Sequence, residues 1–192
     1  MKLGWIRHGE TDWNALGRIQ GQTDIPLNAK GKDQALAIAS RFRREDWDWI
    51  ATSDLRRALE TARTVEAVAG IPVRSIDPRL REKSFGDAEG MTFEERSQLG
   101  DAQIGGAESD DEVVSRAMDW IEETDRLYPG ARVLAVTHGG LLARVLPRLI
   151  PDLTAGPIGN TSLTVVEKRN GQWHCLLYNC TDHLNMETRR SG

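Results

Sequence analysis

The chain has little that would tie it to a metal, a membrane or nucleic acid. It contains two cysteines, Cys175 and Cys180, in 192 residues. They lie in a stretch expected to be a strand, an odd number of positions apart, so their side chains face opposite ways and neither a mutual disulfide nor a shared metal site fits. Both are read as reduced packing residues. No apolar run approaches the roughly 18 residues a membrane helix needs, and the run at Leu3 to Ile6 is too short for a signal peptide. A cytoplasmic location is the resulting expectation. With a net charge of -4 and a pI near 5.6, the surface has no general attraction for nucleic acid or an anionic membrane, so neither is expected as a partner. No aspartate cluster has metal-ligand spacing and no glycine-rich loop ends in Lys-Ser or Lys-Thr, so neither a metal nor a nucleotide loop is expected. Internal repeats, low-complexity tracts and linkers are absent as well. A hydrophobic content of 39% and a charged content of 28% describe one globular domain over residues 1–192.

Histidine is also scarce, and two of the four share one setting. His8, in Arg7-His8-Gly9-Glu10-Thr11, and His138, in Thr137-His138-Gly139-Gly140, each follow a short apolar run and precede glycine. That places an imidazole at the C-terminal end of an expected strand, where open α/β sheets form their ligand crevices. Strands are expected at Leu3 to Ile6, Asp48 to Ser53, Val73 to Ile76 and Arg132 to Val136. Helices are expected over Lys32 to Arg44, Arg56 to Ala69 and Gly139 to Ile150, the last with a possible interruption at Pro147. Ser109 and Glu112 form a capping box ahead of an apolar stripe at Val113, Val114, Ala117, Ile121 and Tyr128. Ser162 to Lys168 and Gln172 to Cys180 should pair as a hairpin across Asn170-Gly171. The alternation predicts a three-layer α/β/α sandwich with a mostly parallel central sheet.

Such a sheet brings Arg7, His8, Arg57 and His138 to one edge. The helix N-termini after Ser53 and His138 are expected to add backbone donors there. Two guanidinium forks and two imidazoles suit a phosphoryl group held from several sides. One deprotonated imidazole nitrogen can attack phosphorus and divide hydrolysis into two steps. The leaving alkoxide then needs an acid, and Glu82 follows a strand and loop on the same edge. A bound phosphate would favour its protonated form. Taken alone, Glu82 reads more readily as a surface carboxylate paired with Arg81 or Lys83.

Six ordered segments resemble the histidine phosphatase superfamily, also called the phosphoglycerate mutase-like family. They are Arg7 to Thr11 with Asn14; Gly17-Arg18-Ile19-Gln20-Gly21; Pro26-Leu27 with Gly31 and Gln34-Ala35; Ser53 to Ala58 with Thr61-Ala62; Leu80-Arg81-Glu82 with Phe85-Gly86 and Glu89-Gly90; and Thr137 to Gly140. The resemblance implies that His8 is the phosphorylated nucleophile, that Arg7, Arg57 and His138 form the phosphate pocket, and that Glu82 donates the proton. Asn14, Gln20, Gly21 and Gly139 would form the substrate-binding rim, with Arg56 a solvated helix residue. No cofactor is implied, and the substrate would be a small phosphate ester.

Mutases of this family resemble one another in a longer insertion rich in basic residues. Here Met91 to Asp111 carries only Arg96 as a base, against Glu94, Glu95, Asp101, Glu108, Asp110 and Asp111. Lys83 stands where mutases have arginine, and Gly140 where they have asparagine. The chain therefore looks like the short phosphatase branch, with a small helical cap at about residues 92–110 and phosphoglycerate mutase as the alternative. A non-catalytic binding module would be expected to lose the nucleophile or the acid. Trp13, Phe85, Met91 and Phe93 are candidates for an apolar wall or for packing. Arg41, Arg43 and Arg44 read as a solvated helix end. His183 is read as structural or cap-contacting, His174 as packing or exposed, and Asn160-Thr161-Ser162 as a loop near the phosphate but outside the site.

Overall fold

The computed structural model describes residues 1–99, 104–154 and 156–185. Six strands form one sheet in the order β3-β2-β4-β1-β5-β6. They are β1 (Lys2–Arg7), β2 (Trp49–Thr52), β3 (Val73–Ile76), β4 (Arg132–Thr137), β5 (Leu163–Arg169) and β6 (Gln172–Cys180). Pairs β1·β4, β2·β4 and β2·β3 are parallel, whereas β5 runs antiparallel to both β1 and β6. The helices among the described residues are α1 (Asp12–Ala15), α2 (Ala29–Ala39), α3 (Arg56–Ala69), α4 (Phe93–Ser97), α5 (Asp110–Leu127), α6 (Gly139–Leu149) and α7 (Asp182–Asn185).

Strand alternation sorts the core into two layers. Leu3, Trp5, Val133 and Ala135 pack with Val113, Ala117, Trp120, Ile121, Leu141 and Val145 of α5 and α6. Ile6, Leu134 and Val136, from the alternate positions, pack with Ile38, Ala39, Ala58, Ala62 and Val65 of α2 and α3. Period-2 strands between period-3.6 helices thus give the expected α/β/α sandwich. Four of the six tryptophans, Trp5, Trp47, Trp49 and Trp120, are buried in this core. Helix α2, after β1, covers one face and α6, after β4, covers the other, so the chain diverges between two neighbouring strands. Ligand crevices in open sheets form at such a divergence.

Several local expectations change. Helix α2 spans Ala29–Ala39, started by the Asn28 side chain, which accepts from Gly31 N. Arg41 and Arg43 therefore lie beyond it, and Arg44 opens a separate 3-10 turn, so they do not form one helix end. On α5 the Ser109 capping box forms as expected. Trp120 and Thr124 complete the buried stripe, while Tyr128 lies outside it and is half exposed. Pro147 sits within α6 without ending it. Between β5 and β6, Asn170 and Gly171 both have positive φ, 50° and 82°, as a tight type I′ hairpin turn requires. Of the expected cap, α4 and residues 104–109 are described, and Asp101 lies outside the described residues. A bridge between Phe85 and Ala107 ties this segment to the loop after Glu82.

Candidate active site

Register alone brings the two histidines together. Arg7 of β1 is aligned with Thr137 of β4, so the next residue on each parallel strand is His8 or His138. Their ring centroids are 5.1 Å apart. His8 N donates to Thr137 O at 2.9 Å, which fixes the crossing of the strand tips. Close backbone approach needs the neighbouring glycines: a Cβ on Gly9 would stand 2.4 Å from the carbonyl oxygen of Gly31.

The His8 imidazole is buried, with Nδ1 2.6 Å from the carbonyl oxygen of Gly9. A carbonyl only accepts, so Nδ1 carries the proton and Nε2 keeps the lone pair. Burial first, then the Arg57 and Arg7 charges, hold His8 well below the usual histidine range. His138 is fully buried and lowered in the same way, by burial and then by Arg57, His8 and Arg7. Both rings are therefore neutral at pH 7.

Arg57, on the first turn of α3, is fully buried and donates to the carbonyl oxygens of Thr23 and Gly21, at 2.9 and 2.6 Å. Burial pushes its pKa down to about 10, against the opposing pull of Glu82. It is still a cation at pH 7. Arg7 donates to the Ile158 carbonyl and is lowered by burial. Four buried atoms of this set have no hydrogen-bond partner within the protein: Arg7 Nε, Arg57 Nε and both ring nitrogens of His138. Such atoms are rare in interiors, and here they converge beside His8 around two cations.

Glu82 has neither of the neighbours expected for a surface carboxylate, because Arg81 pairs with Asp54 and Lys83 with Asp110. Its own carboxylate accepts from Gly140 N at 2.9 Å, Leu141 N at 2.8 Å and Lys83 N at 2.9 Å. The helix N-termini expected to supply donors are thus engaged in part within the protein, while Gly139, the first residue of α6, lines the cavity. The first turn of α6 is capped by Glu82, and Arg56 N at the start of α3 donates to Asp24. Gly140 lets the carboxylate lie this close, since a Cβ there would stand 2.5 Å from Glu82 Oε1 and the carboxylate would have to shift.

A cavity of about 420 Å³ opens over these groups. Its wall includes Arg7, His8, Asn14, Gln20, Gly21, Arg57, Glu82 and Gly139, with His138 behind His8. The Thr11 hydroxyl engages the side-chain oxygens of both Asn14 and Gln20, which leaves those amides donor capacity for a ligand. Gly21 has φ 51° and no room for a Cβ beside Glu89. Every residue expected at the site is therefore in one place. Arg56 instead faces solvent beside Glu60. Phe85 and Phe93 line the cavity as an apolar wall, whereas the Trp13 ring stands against Gly90.

Other participants were not anticipated. Arg18, Ile19, Ala143, Pro157 and Ile158 also line the cavity. Arg116 of α5 donates to the carbonyls of Arg79, Arg81 and Glu82 and pairs with Glu108, clamping the Glu82 loop. The acidic cap segment is also less negative than its composition implies: Asp110 pairs with Lys83 and Arg144, and Asp111 with Arg148. Among the described residues, no group of three or more His, Cys, Asp or Glu is placed to hold a metal ion, and no helix is long and apolar enough to cross a membrane.

The profile of the histidine phosphatase superfamily (branch 1) matches residues 3–181. The chain belongs to this superfamily. A metal-independent phosphoserine phosphatase of Arabidopsis thaliana is 36% identical over 194 residues, covering 94% of this chain and 82% of its own. A probable phosphoglycerate mutase, GpmB, of Photorhabdus laumondii is 35% identical over 185 residues, covering 88% and 85%. Among solved structures, a mycobacterial glucosyl-3-phosphoglycerate phosphatase complexed with VO3 superposes with a TM-score of 0.83 at 30% identity, covering 93% of this chain and 99% of that one.

Proposed function

We propose that this member of the histidine phosphatase superfamily hydrolyses small phosphomonoesters in two steps through a phosphohistidine at His8. The observation that carries this reading is the convergence of the partnerless donors of Arg7, Arg57 and His138 on a neutral His8 whose Nε2 holds a lone pair. In the first step Nε2 attacks phosphorus, the P–O bond to the alcohol breaks, and Glu82 gives its proton to the leaving oxygen. Arg7, Arg57 and His138 donate to the phosphoryl oxygens, where charge spreads in the transition state. In the second step Glu82 takes a proton from water as its oxygen attacks phosphorus, the N–P bond breaks, and phosphate and neutral His8 are restored.

Hydrolysis is favoured over mutase chemistry by Gly140, which stands where mutases resemble one another in having asparagine. The short cap agrees, since its described part offers α4 and one irregular stretch rather than a basic enclosure. We read residues 1–192 as one cytoplasmic domain with its cap at 92–110. The test is phosphate release from p-nitrophenyl phosphate, phosphoserine, sugar phosphates and 3-phosphoglycerate with EDTA present, beside a coupled mutase assay. Release that survives EDTA and exceeds mutase turnover supports the reading; mutase turnover far above hydrolysis overturns it.

The leaving-group end of the cavity combines Phe85, Phe93 and Ile158 with one exposed cation, Arg18, whose Nη1 donates to the carbonyl of Gly90. This wall suits an ester that carries a carboxylate beyond its carbon skeleton. Phosphoserine and glucosyl-3-phosphoglycerate, after which two of the similar phosphatases are named, both do. Arg18→Gln is expected to lower kcat/KM for phosphoserine by about five-fold, as a solvent-screened ionic contact allows, and to leave p-nitrophenyl phosphate unaffected. Equal losses on both substrates would remove Arg18 from recognition.

A further inference from the structure

His183 lies on the short α7, against α2, and outside the cavity wall. It is 3% exposed. Its Nε2 is 3.1 Å from Thr161 Oγ1, and its Nδ1 is 3.4 Å from Arg41 Nη1. The single hydroxyl hydrogen of Thr161 goes to the carbonyl of Asn160, at 2.8 Å. His183 Nε2 must then donate to Thr161 Oγ1, and Nδ1 is left to accept from the Arg41 guanidinium. Burial, and after it the Arg41 charge, lower the pKa of His183 to about 4, in keeping with a neutral ring.

The hydroxyl that His183 holds belongs to a residue in an unusual conformation. Thr161 has φ 52° and is fully buried; a β-branched side chain is costly in the left-handed region and stays there only when its surroundings impose it. That conformation aims the Thr161 N–H at the carbonyls of Arg7, at 3.0 Å, and His8, at 3.3 Å. Beside it, Asn160 Nδ2 donates to the His8 carbonyl at 3.1 Å and to Asn14 Oδ1 at 3.3 Å. The backbone of the proposed nucleophile is thus fixed from behind by two residues of one strained turn, and His183 is the side chain that bonds that turn from the far side.

We infer that His183 is a positioning residue for phosphoryl transfer, holding Thr161 in its left-handed turn so that residues 160 and 161 fix the backbone of Arg7 and His8. The inference rests on the reading of His8 as nucleophile. It predicts a loss in kcat more than in KM, because ground-state contacts to the phosphate ester are kept while the attack geometry is loosened; misplacement on the scale of an ångström costs up to about a hundred-fold.

The test uses the full chain with p-nitrophenyl phosphate, reading kcat, KM, the rate of enzyme phosphorylation and the melting temperature. His183→Leu and Thr161→Val are each expected to lower kcat and the phosphorylation rate by about ten-fold with KM little changed. The double variant should be no slower than the worse single one, as for two ends of one hydrogen bond. His183→Gln, whose amide can donate to Thr161 and accept from Arg41, should restore most of the rate. A folded His183→Leu enzyme with wild-type kcat overturns the inference, and so does a slow His183→Gln enzyme that melts like the wild type. Phosphorylation of the wild type, measured in the same runs, separates the two readings. If His8 is labelled at the same rate in wild type and His183→Leu, the positioning role fails and the proposed function stands.

Discussion

His8→Ala abolishes phosphate release, by about 10⁴-fold or more, while the protein keeps its fold. The size follows from the loss of the atom that forms the covalent bond: removing a nucleophile from a site that works as a unit leaves only binding and electrostatic assistance to water. The fold survives because the His8 ring bonds the carbonyl of the adjacent Gly9, and its backbone ties to Thr137, Asn160 and Thr161 do not involve the ring. Initial rates on p-nitrophenyl phosphate beside a thermal melt check this. Normal turnover in the folded variant would remove His8 from its covalent role.

Glu82→Gln has the second largest effect, and its size depends on the leaving group. Loss of a positioned general acid typically costs about 10²- to 10⁴-fold. An alkyl ester such as phosphoserine leaves as a basic alkoxide and needs the full contribution of the acid, whereas p-nitrophenolate leaves unaided. The variant should therefore lose much more on phosphoserine than on p-nitrophenyl phosphate in the phosphorylation step. The carboxylate also accepts from three backbone N–H groups, and an amide nitrogen in place of Oε2 would set donor against donor at Gly140. That disturbance slows every substrate alike, so the ratio between the two esters, rather than either rate alone, reports the acid.

The fold was readable from local signals because each element depends on a local cause. The apolar runs at Leu3 to Ile6 and Arg132 to Val136, the Ser109 capping box and the Asn170-Gly171 turn all formed as expected. The site was legible for a related reason: His8 and His138 end parallel neighbours, and topology converts that into contact. What stayed hidden depends on partners distant in sequence. Arg116 is an ordinary helix residue until α5 packs and its guanidinium meets three carbonyls of the Glu82 loop. The N-termini of α3 and α6 looked wholly available to an anion, but Asp24 and Glu82 already use part of each. Acidic composition in the cap segment implied repulsion of anions until Lys83, Arg144 and Arg148 were found paired with it. His183 carried no spacing signal that would connect it to His8, because the link runs through a strained threonine on another loop.

The most direct measurement is a rapid-quench experiment in which excess enzyme meets phosphoserine labelled in its phosphoryl group and the protein is denatured in alkali within milliseconds. The account predicts label on one peptide, at His8, with the acid lability and alkali stability of a phosphoramidate, appearing no slower than steady-state turnover. Turnover without any labelled protein, or label on a residue other than His8, would contradict it.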